Sequence, residues 1–137
     1  MPHDPARVAD TKAWLAKAVD DLNAAEHLLS GSPALPGVAV FHCQQAAEKA
    51  MKGFLAWHDV PFRKTHDLEE VGEACLAIDP ALEEIVDRAV PLTEYAWRFR
   101  YPGEPESPTQ NEAETSLALA REVYDVIVTC LPEEVRP

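Results

Sequence analysis

Twelve prolines in this 137-residue chain gather in a few places, and the stretches between them carry apolar residues at helical spacing. Proline lacks a backbone N–H and its ring clashes with the preceding turn, so each cluster marks a joint between helices. The spacing predicts five helical segments and no strand. In the first, about Val8 to Leu29, the residues Trp14, Leu15, Ala18, Leu22, Ala25, Leu28 and Leu29 form the apolar stripe. Lys17, Asp20, Asp21 and Glu26 take the other side, and Ser30-Gly31-Ser32-Pro33 ends the helix. The second, about Gly37 to His58, puts Cys43, Ala46, Ala47, Ala50, Met51, Phe54 and Trp57 on one face. Gln45, Glu48, Lys49 and Lys52 fall opposite.

The third segment is short, about Asp67 to Ala77, with Thr65 expected as its N-cap. Asp79 and Pro80 open the fourth as N-cap and first helical residue, and it is expected to reach about Arg98 with a kink or break near Val90, before Pro91. Tyr101 to Asn111 reads as a loop, because Pro102, Pro105 and Pro108 interrupt it. The fifth helix runs from about Glu112 to Leu131, and the tail from Pro132 to Pro137 is expected to fray. The fold class that follows is all-α: one domain over residues 1–137, ordered over about 8–131, built as an antiparallel up-and-down bundle of four to five helices.

A net charge of −12 disfavours partners held through phosphate neutralisation, so DNA is not an expected partner and RNA binding needs a local basic pocket. Cys43, Cys75 and Cys130 are odd in number and lack paired spacing, which reads as buried thiols in a reducing cytoplasm. Residues Met1 to Asp10 have no signal-peptide core, and no apolar run approaches the roughly 18 residues of a membrane span. A cytoplasmic location, with no membrane partner, is the expectation. There is no Cys-x-x-Cys, no His-Glu-x-x-His, no spaced Asp ladder and no glycine-rich phosphate loop, so no metal or cofactor is expected.

Three clusters of polar residues invite a functional reading. Gln45, Glu48 and Lys52 stand in a row along the second helix, where Glu48 and Lys52 form an i, i+4 pair. Such a row is ordinarily a solvated stripe, but Phe41 and Leu55 beside it suit a pocket or a dimer face. Tyr95-Ala96-Trp97-Arg98-Phe99-Arg100-Tyr101 interleaves two arginines with four aromatic rings. Arginine forks bind phosphates and rings stack on bases; alternatively Trp97 and Phe99 fill the core and the arginines offset acidic surface. Third, His66-Asp67 follows Arg63-Lys64, and His66 is either an acid–base group or phosphate ligand, or simply a capping residue.

These motifs, in this order, resemble the HEPN family, the helical domains of higher eukaryotes and prokaryotes linked to nucleotide binding. The resemblance rests on Asp21-Leu22-x-x-Ala25, on Gln44-Gln45-Ala46-Ala47-Glu48-Lys49-Ala50-x-Lys52, on Lys64-Thr65-His66-Asp67-Leu68, and on Tyr95 with Arg100-Tyr101-Pro102. Ala113 and Ala120 fit the family's last helix. The resemblance implies a bundle that usually forms homodimers and is often paired with a minimal nucleotidyltransferase. Many relatives are metal-independent ribonucleases, often toxins, marked by an Arg and a His separated by four to six residues. Here the positions after Arg98 are Gly103, Glu104 and Pro105, and those after Arg100 are Pro105, Glu106 and Ser107. That signature is absent.

The resulting expectation is a nucleotide- or phosphate-binding subunit that is a homodimer and partners a minimal nucleotidyltransferase in a toxin–antitoxin-like system. Its candidate ligand residues are Arg98, Arg100, Tyr101, Tyr95, Gln45, Glu48, Lys49, Lys52, Lys64, His66 and Asp67, with no catalytic residue assigned. The positive charge needed in an acidic chain would come from Lys49, Lys52 or Lys64 drawn toward the arginines. The alternatives are a ribonuclease that recruits His66 to Arg98 or Arg100, and a dimerisation module without ligand.

Overall fold

Helix α1 (Pro5–Ser30) starts three residues earlier than the apolar spacing alone indicates. Proline is tolerated in a first helical turn, and the Asp4 side chain accepts a hydrogen bond from the Ala6 N–H at 3.0 Å. Helix α2 (Pro36–Trp57) likewise opens on a proline. Helix α3 (Leu68–Ile78) is capped by Asp67, not Thr65: the Asp67 carboxylate accepts from the Glu69 N–H, and the Thr65 hydroxyl accepts from the Asp67 N–H. Both groups are short acceptors, and the carboxylate stands one step closer to the open N–H groups of the first turn.

Asp79 caps the next segment as expected, above a 3-10 turn at Pro80–Leu82 that leads into α4 (Glu83–Ala89). Pro91 then ends regular helix, and the chain continues as a 3-10 stretch over Val90–Ala96. Helix α5 (Gln110–Thr129) begins where Thr109 accepts from the Glu112 N–H, two residues before the expected start. The computed structural model describes residues 3–103 and 106–137, and among these residues there is no strand. Pro105, which the loop expectation invoked, and Glu104, one of the positions tested for the missing histidine, lie outside the described residues.

Helix α1 runs antiparallel to α2, since Leu15 packs on Gly53 near the far end of α2 while Asp21 meets Lys49 nearer its middle. Small residues make the approach close: Ala18 and Ala25 on α1, and Ala39, Ala46, Ala47 and Ala50 on α2, are all fully buried. Two apolar clusters fill the bundle. One gathers Leu15, Met51, Phe54, Leu68, Val71, Leu82, Val86 and Ile127; the other gathers Leu22, Leu29, Val40, Ala113, Leu117 and Ala120. Helix α2 contributes to both, and it is covered on nearly every side. The tail does not fray. Val135 is fully buried in the first cluster, Arg136 donates to the Leu131 carbonyl at 2.9 Å, and Glu134 pairs with His3. Burial of the valine and these two polar contacts together hold a short 3-10 turn at Glu133–Val135 against the bundle.

Cys43 and Cys75 are buried as expected, and burial pushes both thiols up to about 12, so they stay protonated. Cys130 departs from the expectation and is exposed, because it lies just past the last turn of α5.

Gly72 sits in the middle of α3, where a Cβ would stand 2.5 Å from Cγ1 of the buried Val86. Gly72→Ala should gain about 1 kcal/mol of helix propensity and lose about 1–3 kcal/mol to overpacking. The expected net result is a lower urea midpoint for unfolding. A raised midpoint would mean that α3 and α4 part easily.

Candidate functional site

The row along α2 that reads as solvated is buried. Gln44, Gln45, Glu48 and Lys52 all lie below the surface, and the connection from α2 to α3 folds back over them. The side chains of Glu48 and Lys52 retain only 4% and 7% of their exposure. Lys52 Nζ donates to Glu48 Oε2 at 3.0 Å and to the Thr65 carbonyl at 2.9 Å. Its ammonium also stands over the rings of Phe62 and Trp14, at 5.5 and 5.8 Å. Glu48 Oε1 accepts from Gln44 Nε2 at 3.2 Å and from His66 Nδ1 at 2.7 Å. Gln44 Nε2 donates to the His66 carbonyl as well, and its oxygen accepts from Gln45. Every strongly polar atom of the Glu48 and Lys52 heads therefore has a partner, which is what a buried charge pair requires.

His66 is held at one edge only. With Nδ1–H committed to a carboxylate, the neutral ring carries its lone pair on Nε2, and the side chain is 59% exposed. Lys64 and Asp67 flank it on the exposed connection, Asp67 acting as the α3 cap. Leu55, expected to flank the row as an interface residue, is fully buried in the core.

A second buried carboxylate was placed by sequence on the solvent side of α1. Asp21 is buried and pairs with Lys49 at 2.6 Å and with His42 Nδ1 at 2.8 Å. The signal lay in its spacing: Asp21 falls between Ala18 and Ala25 at i+3 and i+7 on the apolar stripe. His42 is its partner from α2. Neither Lys49 nor Lys52 is drawn toward the arginines, because each neutralises a buried carboxylate instead.

The arginine cluster occupies the N-terminal end of α2. Phe99 adopts a left-handed backbone at φ 68°, rare for an aromatic residue, with its ring stacked on Tyr95 at 6.1 Å. That turn carries Arg100 back over the face of Phe41, with its guanidinium 4.0 Å from the ring centre. One Nη1–H donates to the Ala96 carbonyl at 2.7 Å, and the remaining N–H groups have no carboxylate partner among the described residues. Arg98 pairs with Glu94 at 2.9 Å. Tyr95 is packed rather than displayed: burial raises its hydroxyl pKa, and that hydroxyl meets Ser116. Trp97 does not fill the core, being 53% exposed, and Tyr101 is 61% exposed. Gly37, Val38, Phe41, His42, Phe99 and Arg100 line a groove of about 300 Å³.

The candidate residues thus separate into three groups along α2. Arg98, Arg100 and Tyr101 gather at its start, Lys49 joins Asp21 and His42 on its flank, and Gln45, Glu48, Lys52 and His66 form the network beneath the α2–α3 connection. Among the described residues no group of three His, Cys, Asp or Glu side chains is placed to hold a metal ion, and no helix is long and apolar enough to cross a membrane.

The HEPN domain family matches this chain over residues 11–132. The protein belongs to the HEPN family, with the match covering α1 from residue 11 onward, the four helices that follow and all three polar groups. No curated protein and no solved structure gives a significant match.

Burial makes Lys52 a structural residue and not part of a solvated stripe. Lys52→Ala leaves Glu48 with the Gln44 amide and the His66 ring nitrogen but without its lysine, and should cost about 3 kcal/mol in denaturant unfolding, as breaking a buried pair does. Arg100→Ala removes an exposed side chain and should cost about 1 kcal/mol or less. Equal effects would show that the Glu48 network is hydrated and not structural.

Proposed function

We propose that this HEPN protein is a nucleotide- or phosphate-binding subunit that acts as a homodimer and pairs with a minimal nucleotidyltransferase in a toxin–antitoxin-like system. The observation that carries the binding half is Arg100. Its guanidinium is fixed over Phe41, is anchored by one N–H among the described residues, and faces a groove. Most other cations of this site are committed: Arg98 to Glu94, Lys49 to Asp21 and Lys52 to Glu48. A guanidinium held in position with free N–H groups suits a phosphate oxygen pair. The exposed Tyr101 ring supplies a face for stacking. The support for the nucleotidyltransferase partner is the family resemblance alone.

Support for the homodimer comes from exposed apolar side chains at the same end of the bundle. Leu35, Val38, Trp97 and Tyr101 are exposed, and an uncovered group of this kind favours a self-complementary interface. Sedimentation at micromolar concentration should give twice the monomer mass of 15.1 kDa. Trp97→Asp and Val38→Asp should shift the protein to monomer. A monomer at every concentration in the unaltered protein would rule the interface out.

Titration with ATP, GTP and a short RNA at low and high salt tests the binding reading. Affinity should weaken as salt screens the groove, and Arg100→Ala should abolish it. Binding that survives that change, or none at low salt, would discard the reading. One observation favours a second reading as a metal-independent ribonuclease: His66, aligned by the buried Glu48, has the form of an acid–base group. Cleavage of mixed RNA in EDTA, lost in His66→Ala, would establish it.

A further inference from the structure

We propose that His42 and Arg100 together make a site for a phosphate monoester, a terminal phosphate on a single nucleotide, with Asp21 acting as the positioning residue for His42. The inference rests on the phosphate-binding reading above and adds a second contact residue, a positioning residue and a ligand class. Both His42 and Arg100 line the groove at the start of α2. They come from different parts of the chain, so no sequence spacing joins them: His42 stands in the second turn of α2, and Arg100 arrives on the strained turn at Phe99.

Asp21 Oδ1 fixes the ring of His42 through Nδ1 at 2.8 Å, which leaves Nε2 as the nitrogen that a ligand can meet. Such a carboxylate would ordinarily bring a negative charge next to the anion site. Lys49, 2.6 Å from the other oxygen, cancels it. Asp21 therefore aligns the imidazole without making the groove acidic. The local sum over Asp21, Lys49 and Arg100 is positive, in a chain of net charge −12.

The donor geometry selects among phosphates. Arg100 uses Nη1 on the Ala96 carbonyl, and among the described residues its Nε–H and Nη2–H edge has no partner, which leaves it for two phosphate oxygens. His42 Nε2 can meet a third, sharing the proton that a monoester, unlike a diester, carries near neutral pH. A monoester offers three free oxygens, whereas a diester offers two. Groove size agrees with a small ligand: about 300 Å³ stands at the lower end of the roughly 300–1,000 Å³ typical of small-molecule sites. Val38, Phe41 and Phe99 supply apolar wall for a sugar or base beside the phosphate.

Calorimetric titration with AMP, adenosine and the diester ApA tests the assignment. AMP should bind at low salt, and adenosine and ApA at least about tenfold more weakly, the loss expected for one charge-assisted hydrogen bond. His42→Gln should weaken AMP by about tenfold, and Asp21→Asn by less. Asp21 is buried, so the wild-type protein supplies a check independent of folding: AMP should move the Nε2 nitrogen resonance of His42. AMP binding that His42→Gln leaves unchanged, with an unmoved resonance, overturns this inference while the Arg100 reading stands. ApA binding as tightly as AMP overturns the monoester assignment. Failure of the broader reading looks different, because the wild-type protein then binds no nucleotide at all.

Discussion

The buried Glu48 carboxylate is the constraint on which the rest of the bundle is arranged. An ionised carboxyl group removed from water costs several kcal/mol unless its oxygens are occupied. Glu48 meets that demand with Lys52 from its own helix, Gln44 one turn back, and His66 from the connection to α3. Two further hydrogen bonds tie the backbone of that connection to α2, at the carbonyls of Thr65 and His66. The connection must then cross α2 at one place and at one height. Leu68 and Val71 of α3 enter the core where that crossing delivers them. Phe62 closes the arrangement by lying against Trp14, edge to face at 5.5 Å, with the Lys52 ammonium over both rings.

The same logic explains the distribution of charge. Two carboxylates are buried along α2, Glu48 and Asp21, and each takes a lysine from that helix. In both cases the second oxygen goes to the Nδ1 of a histidine, His66 in one case and His42 in the other. A pairing repeated along one helix leaves two aligned imidazoles at the margins of the buried zone and removes two lysines from ligand duty. Arg100 differs from these cations in being anchored to a carbonyl and an aromatic face, neither of which neutralises it. In a strongly acidic chain such a cation is where an anion meets least repulsion.

Helix positions were legible because apolar spacing and proline are local signals. Leu15, Ala18, Met51, Phe54, Leu117 and Ile127 sit in the core as their spacing indicates, and Pro91 ends regular helix where the chemistry of proline requires. The burial of Glu48 and Lys52 was not legible. An i, i+4 Glu–Lys pair has the same appearance on a wet surface as beneath a loop, and the path of residues 58–67 over α2 has no periodicity to read. Thr65 misled as a cap for a related reason: Thr65 and Asp67 are both good acceptors, and only the placement of Thr65 O on Lys52 decides which one stands at the helix start. The Asp21–His42 pair was not legible because its members lie on different helices, and because an acid on an apolar stripe looks like an error of the stripe.

Phe99 shows how the site depends on energy held elsewhere. A bulky residue in the left-handed region costs about 1–3 kcal/mol, and it persists only where surrounding contacts outweigh that cost. Here the contacts are the Tyr95 ring, the backbone of Gly37 and the second core cluster. Gly37 matters through its lack of a side chain: even an added Cβ would stand 3.5 Å from the Phe99 Cβ and 3.8 Å from Pro108, so larger groups would push the turn outward. An extended backbone at Phe99 would send Arg100 away from Phe41 and separate it from His42. The groove at the start of α2 is thus a product of core packing between α2 and the Tyr95–Phe99 segment, and that packing sets the position of Arg100.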